Sequence, residues 1–303
     1  MTINEILKDG KSVLSKNKID NAEFDATQIL LNLLDIDMSN LLAEANEALE
    51  NIYEERFINE LINKYDRLIS YRSQHYPLQY ILGEAYFCGM RFDVDENVLI
   101  PRFDTETLVE KVLDDNQDKN KSVLDLCTGS GCIAIALANL GGYKTIIASD
   151  ISIDAIQVAS HNADNLIHKT SFDDEQDQKL YFLQSDLFDN FSKIIDNIGI
   201  DKFDIITCNP PYIRSKDIEK LDIEVKKFEP RLALDGDEDG LKYYKRISKE
   251  AKQYLNKNGK IYLEIGFDQA NDVKKIFEKE KYQKIEVIKD LAGNDRVFIA
   301  SLV

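Results

Sequence analysis

From residue 105 onward the chain alternates between two hydrophobic periods, and that alternation limits its fold more than any other feature. Apolar runs of strand length occur at 122–126, 145–149, 180–184, 203–208 and 260–265. Between them lie stretches whose apolar residues recur every three or four positions, at 105–113, 132–140, 153–166, 241–255 and 269–278. Near-continuous apolar runs are what strands covered on both faces require. Strands separated by helices are joined by crossovers, which makes neighbouring strands parallel and places helices on both faces. Two last runs, 284–288 and 296–302, follow each other without a helix and predict closing strands. The expectation is a doubly wound α/β domain, mostly parallel with a closing antiparallel strand.

The first 75 residues have a different character. Thr2-x-x-Glu5 and Asp20-x-x-Glu23 have the form of capping boxes that open helices. Phe24, Ile29, Leu30, Leu33 and Leu34 recur at helical spacing, as do Phe57, Leu61, Ile62, Tyr65, Leu68 and Ile69. These stripes predict a small helical bundle over 1–75 whose task is docking a substrate or partner, since catalytic residue types do not cluster there. Residues 76–104 carry short β-like runs punctuated by Gly83 and Gly89, which predicts a hairpin linker. Residues 105–303 then form the α/β domain.

Two loops of that domain carry chemistry. In the first, Val123-Leu124-Asp125-Leu126 is a strand and Cys127-Thr128-Gly129-Ser130-Gly131 a tight turn, followed by a helix from Cys132. Glycines admit a ligand where a Cβ would clash, and Gly129-x-Gly131-x-x-Ala134 fits the dinucleotide fingerprint with its permitted final Ala. Asp150 ends the next strand, placed to accept from ribose hydroxyls. Together they indicate an adenosine-containing cofactor without deciding between a nicotinamide dinucleotide and S-adenosylmethionine. Asp125 favours the latter, because a carboxylate facing the ligand would repel a diphosphate and could accept from an ammonium. After the third strand, Asp186 could accept from an adenine amino group, with Leu187 covering the ring. Asp186 and Leu187 also fit a plain strand-end turn.

The second loop is Asn209-Pro210-Pro211-Tyr212, directly after the run 203–208. Two prolines cannot continue a strand, having no N–H to donate, and the first pushes Asn209 towards an extended conformation. The result is a stiff loop at the carboxyl end of a strand, where open α/β sheets place their ligands. One side-chain amide, the carbonyls beside the prolines and one aromatic ring are held at nearly fixed spacing there. That arrangement suits a planar group bearing an N–H₂. A bare Pro-Pro would be only a rigid turn; the flanking Asn209 and Tyr212 make it a candidate catalytic loop.

These residues together resemble a class I S-adenosylmethionine-dependent methyltransferase acting on an amide or amino nitrogen, with a Rossmann-like domain. More narrowly, the chain is similar along nearly its full length to the HemK-type release factor glutamine methyltransferases. The supporting segments include Pro77-Leu78-Gln79-Tyr80-Ile81-Leu82-Gly83, Pro101-Arg102 with Glu106, Glu229-Pro230-Arg231, Leu263-Glu264-Ile265-Gly266 and Ala292-Gly293-Asn294-Asp295-Arg296. It departs at Phe103-Asp104, where Pro-Glu is usual, and at Leu187, where an aromatic is frequent. The resemblance implies S-adenosylmethionine as cofactor and methylation of a glutamine amide nitrogen (N5) on class 1 peptide chain release factors. It implies Asn209, Pro210, Pro211 and Tyr212 as catalytic, with Tyr212 walling the amide. It implies Asp125, Cys127, Thr128, Gly129, Ser130, Gly131, Asp150, Asp186, Leu187 and Asn209 as cofactor-binding. Pro101-Arg102 and Glu106 would close the methionine end, and Arg231 would order the substrate loop. Rival readings are glutamine methylation of a ribosomal protein, nucleic-acid adenine or guanine N-methylation, and a non-catalytic cofactor-binding module.

Composition narrows the field. A formal net charge of −17 argues against stable nucleic-acid binding, since phosphate neutralisation by a basic stripe supplies most of that affinity. No apolar run approaches the roughly 20 residues of a membrane span, and Met1-Thr2-Ile3-Asn4-Glu5 lacks a signal-peptide start. Cys88, Cys127, Cys132 and Cys208 have no zinc-type spacing, so no metal is expected and a reducing cytoplasm fits. Beside the loops the cysteines read as small apolar fillers. His75, His161 and His168 lie away from the motifs, and the acidic stretch 172–178 reads as a solvated loop.

Overall fold

The computed structural model describes residues 1–167, 178–189, 191, 198–200 and 202–302. Its contacts fall into two compact units, Met1–Glu84 with Asp222–Phe228, and Ala85–Leu221 with Glu229–Val303. The division at Glu84/Ala85 differs from the expected bounds at 75 and 104, because Phe87 and Phe92 of the hairpin are fully buried in the core of the larger unit.

The smaller unit is helical: α1 (Ile3–Lys16), α2 (Ala22–Leu34), α3 (Met38–Glu44), α4 (Glu55–Ser73), α5 (Leu78–Leu82) and, from far along the chain, α9 (Ile223–Phe228). The Thr2/Glu5 capping box forms as expected. The Asp20/Glu23 box does not: Asn21 occupies the cap position without a side-chain bond, and the Glu23 carboxylate pairs with Lys11 instead. Ile3, Leu14, Ile29, Leu30, Leu61, Tyr65 and Ile69 form the core. Phe24 and Phe57 are exposed, at 58% and 40%, although both were expected in the apolar stripes. Gly10 lets α1 and α4 touch, since a Cβ there would meet the Tyr65 hydroxyl at 2.2 Å. Arg72 is buried, its Nε donating to Asp25 and one terminal nitrogen to Glu224, each at 2.7 Å.

The larger unit opens with the hairpin β1 (Glu84–Phe87) and β2 (Met90–Asp93). Then come α6 (Phe103–Asp115), β3 (Ser122–Leu126), α7 (Cys132–Ala136), β4 (Thr145–Asp150), α8 (Ile153–Leu166), β5 (Lys179–Gln184) and β6 (Phe203–Cys208). It finishes with α10 (Arg231–Leu234), α11 (Lys242–Glu250), β7 (Leu255–Glu264), α12 (Ala270–Lys279), β8 (Gln283–Lys289) and β9 (Asp295–Ser301). Among the described residues seven strands form one sheet in the order β5-β4-β3-β6-β7-β9-β8. Pairings from β5 to β7 are parallel, and β9 runs antiparallel to both β7 and β8. The expected mixed sheet is therefore present. Alternate residues of each strand serve opposite cores: Leu124, Ile206 and Leu263 face α11 and α12, while Val123, Ile205 and Tyr262 face α6 and α7. Fully burying side chains of this kind stabilises a fold by about 1.5–3 kcal/mol each.

The strand order reverses at β3, whose neighbours are β4 on one side and β6 on the other. Register aligns Asp125 with Thr207 and Leu126 with Cys208, so the glycine and proline loops leave the sheet side by side. Two expectations fail. The helix drawn over 241–255 stops at Glu250, and Leu255 already opens β7 against Phe203. The helix drawn over 132–140 keeps regular α geometry only to Ala136 and then widens into a π turn. His168 and the stretch 172–177 lie outside the described residues.

Candidate active site

The glycine loop is held by its neighbours' backbone. Thr128 N donates to Ser149 O at 3.0 Å and Gly131 N to Thr128 O at 2.8 Å. Cys127, Gly129 and Gly131 all have positive φ, at 55°, 54° and 82°. Asp150 reaches back from β4, one carboxylate oxygen accepting from Gly129 N at 3.0 Å and the other from Ser152 N at 2.9 Å. Burial raises its pKa against those backbone bonds.

Asp125 has a different task from the one its position implied. It is fully buried and does not line the cavity. One carboxylate oxygen accepts from the Thr128 hydroxyl and the other from the Thr207 hydroxyl, each at 2.7 Å. Its carboxylate thus ties the glycine loop to β6. Burial pushes its pKa up to about 7, against the two hydroxyl bonds that favour the charged form.

The proline loop rests on a buried polar chain. Asn209 Nδ2 donates to Thr105 Oγ1 at 3.4 Å, and Thr105 Oγ1 donates to Glu264 Oε2 at 2.5 Å. Tyr212 donates to Glu264 Oε1 at 3.0 Å, and burial raises its phenol above the ordinary range. Gln269 Nε2 donates to Tyr212 O at 2.9 Å, pinning the loop's end. Tyr212 therefore holds the loop from behind and is not among the cavity-lining residues; Pro210 is buried beside it.

Both loops open on one cavity of about 1030 Å³ counted out to open solvent. The glycine loop contributes Cys127, Thr128, Gly129 and Ser130, with Asp150 beside them. Asp186 and Leu187 enter from the turn after β5, and Asn209 and Pro211 from the proline loop. Pro101 and Arg102 line it too, Arg102 being held by an ion pair to Glu229. Gly131 is absent from the lining; a Cβ there would strike Ile135 and Ala159, so it serves the packing of α7 on α8. Glu106 also faces elsewhere, accepting from Cys88 N at 2.7 Å in the hairpin turn. Arg231 is bound to Asp235 at 3.2 Å. Asp186 lines the cavity while one of its oxygens accepts from Arg246 at 2.7 Å.

Sequence reasoning gave no role to Thr105, Thr207, Tyr243, Arg246 or Glu264. Lone polar residues in apolar strands were the available signal for Thr207 and Glu264. The residues present fit an adenosine-bearing ligand. A Cβ at Gly129 would meet nothing within 4 Å, so the loop leaves room for close approach. Beside it stand the Asp150 carboxylate and the apolar walls Ile133, Leu187 and Tyr243. Neither His75 nor His161 lines the cavity, and burial pushes the Cys132 thiol up to about 12, away from a thiolate.

The family model of the PrmC N-terminal domain matches residues 5–83. That of ribosomal protein L11 methyltransferase (PrmA) matches residues 103–209, ending at the first residue of the proline loop. The release factor glutamine methyltransferase of Streptococcus pneumoniae is 43% identical over 226 residues, 74% of this chain and 75% of the relative. That of Thermodesulfovibrio yellowstonii is 39% identical over 279 residues, 91% of each chain. The protein of the same description from Clostridium acetobutylicum is 38% identical over 302 residues, 99% of this chain and 98% of its own. A crystal structure of a protein-(glutamine-N5) methyltransferase from Alicyclobacillus acidocaldarius superposes with a TM-score of 0.41 at 25% identity, covering 69% of this chain and 98% of that one. The helical N-terminal match and full-length identity at this level place the chain in a single family: it belongs to the release factor glutamine methyltransferases.

Proposed function

We propose that this chain transfers a methyl group from S-adenosylmethionine to the side-chain amide nitrogen (N5) of a glutamine in class 1 peptide chain release factors. The observation that carries the reading is the state of Asn209. Its side-chain nitrogen is committed to Thr105, which leaves its oxygen as an acceptor at the cavity it lines.

An amide nitrogen is a poor nucleophile, because its lone pair is delocalised into the carbonyl. Asn209 Oδ1 accepts one hydrogen of the target amide at the cavity it lines. The Pro210 carbonyl, although Pro210 is not among the lining residues, would accept the other and so fix the amide plane. Holding the nitrogen in line converts an improbable encounter into an oriented one. The same acceptors stabilise positive charge as it develops on nitrogen. S-adenosylmethionine supplies an electrophilic methyl on a sulfonium. Gly129, Asp150, Asp186 and Leu187 would hold its adenosine part, and Arg102 with Pro101 its amino-acid part. Tyr212 and Glu264 keep the proline loop rigid.

The helical unit docks the protein substrate. The net charge of −17 favours a protein partner over nucleic acid. No described helix is long and apolar enough to cross a membrane, and the four cysteines are free, which accords with a reducing cytoplasm.

The test is incubation with methyl-labelled S-adenosylmethionine and, separately, purified class 1 release factors, ribosomal proteins and DNA. The expected result is one methylated glutamine on a release factor, located by peptide mass spectrometry. Label only on a ribosomal protein or on DNA would overturn the reading.

A further inference from the structure

We propose that Thr105 and Glu264 are positioning residues that set which end of the Asn209 side-chain amide faces the cavity; this rests on the reading above, in which Asn209 must present an acceptor. Glu264 sits on β7 and is buried, as is Thr105 on α6. Both carboxylate oxygens of Glu264 are acceptors: Oε1 takes the Tyr212 hydroxyl at 3.0 Å and lies 4.0 Å from the Arg296 guanidinium, and Oε2 takes the Thr105 hydroxyl at 2.5 Å.

A threonine hydroxyl has one proton. Here that proton is given to Glu264, so Thr105 Oγ1 turns only lone pairs towards Asn209. An amide oxygen placed there would face those lone pairs, whereas an N–H₂ finds an acceptor. At 3.4 Å the contact is long, and the choice between the two ends follows from polarity rather than from the strength of one bond. The buried glutamate therefore dictates, through one hydroxyl, that the amide oxygen is turned to the substrate. A flipped amide would set N–H₂ against the target N–H₂, two donors with nothing between them.

Glu264→Gln should have an outcome that a change in packing alone would not produce. Arg296 and Tyr212 favour the carbonyl of the introduced amide on their side, which turns its N–H₂ to Thr105. Thr105 then accepts, its proton turns to Asn209, and the Asn209 amide inverts. The expected result is a fall in kcat of at least about thirtyfold, with KM for the release factor and Kd for S-adenosylmethionine within about threefold of the parent. Thr105→Val, which introduces no new donor, should lower kcat at least about fivefold, and Thr105→Ser should restore most of it. In selectively ¹⁵N-Asn-labelled protein, the Asn209 side-chain N–H₂ resonance, assigned by its loss in Asn209→Asp, should move in both Glu264→Gln and Thr105→Val. The inference is overturned if either folded variant keeps kcat within about twofold of the parent, if Thr105→Ser is as impaired as Thr105→Val, or if that resonance stays in place. If the parent protein methylates no glutamine, the functional reading fails by itself. The resonance needs no substrate and still decides the positioning.

Discussion

Gly129 and Gly131 stand two residues apart in one turn, yet substitution should separate them. Both have positive φ, 54° and 82°. A Cβ in the left-handed region costs about 1–2 kcal/mol, and alanine at either site incurs that. At Gly131 the new Cβ would also lie 3.0 Å from Ile135 Cδ1, 3.1 Å from Ala159 Cβ and 3.3 Å from Ala159 Cα. Overpacking of that kind costs a further 1–3 kcal/mol or so, giving roughly 2–5 kcal/mol for Gly131→Ala. At Gly129 the Cβ would meet nothing within 4 Å, so Gly129→Ala should destabilise by only about 1–2 kcal/mol. Its methyl would project into the space left for the ligand and weaken S-adenosylmethionine binding at least about tenfold. Urea unfolding followed by circular dichroism measures the first effect, comparing midpoints at equal slope. Calorimetric titration without urea measures the second. Equal destabilisation by the two alanines, or parental cofactor affinity in Gly129→Ala, would refute the division of labour.

Asn209→Ala should leave folding intact and cut single-turnover methylation of a release factor at least about a hundredfold, as loss of a preorganised polar group does elsewhere; Asn209→Asp, which keeps acceptors but adds charge, should be impaired less. Parental rates in a folded Asn209→Ala would sink the amide clamp. Asp150→Ala should weaken S-adenosylmethionine binding by about 1.5–3 kcal/mol, the range for hydrogen bonds to a charged group, and calorimetry would show it. Asp125 titrates near 7 in the fold against an ordinary 3.8. Between those values the folded state binds the proton more tightly, so this group makes stability fall as pH rises from about 4 through about 7, and adds no further slope above. The stability of Asp125→Asn relative to the parent should therefore increase over that window; an unchanged difference in denaturation midpoints would refute it. Arg72→Met leaves Asp25 buried without its cation and should cost the helical unit about 3–5 kcal/mol, seen as an earlier loss of helical signal on heating.

The strands 122–126 and 203–208 and the helix 153–166 were legible to the residue. Each is a local pattern: an apolar run ended by glycine or proline, or a periodic stretch capped by Ser152. The glycine and proline loops were legible for the same reason, since φ limits and missing donors act on the chain itself. Short helices such as Leu78–Leu82, Ile223–Phe228 and Arg231–Leu234 were not, because four to six residues are too few to display a period. The start of β7 was misread because Leu255 continues the helical spacing of the preceding stretch, and only pairing with β6 decides against it. Least legible were the polar ties. Thr105 meets Glu264 across 159 positions and Asp125 meets Thr207 across 82, and such pairings leave no mark on either neighbourhood. Asp125 was correctly singled out as unusual, but its proximity to the loop could not reveal that both its oxygens were already occupied.

The smaller unit is not encoded in one piece. Its last helix, Ile223–Phe228, arrives long after Glu84 has been made, bringing Glu224 to Arg72 and Phe228 to Tyr76 at 5.1 Å between ring centroids. A ribosome makes the chain from the N-terminus at about 5–20 residues per second. For roughly 7–28 seconds at that rate, the first helices wait with one side of Arg72 unanswered. Completion of the smaller unit is thus timed by synthesis of the glycine loop and the proline loop, both of which have left the ribosome before it can close. A nascent chain truncated before Asp222 would carry both loops but an unfinished helical unit. Excising residues 1–84 for study would keep the Arg72–Asp25 pair but remove Glu224 from its other side, and a faithful fragment must rejoin 222–228 to it through a linker.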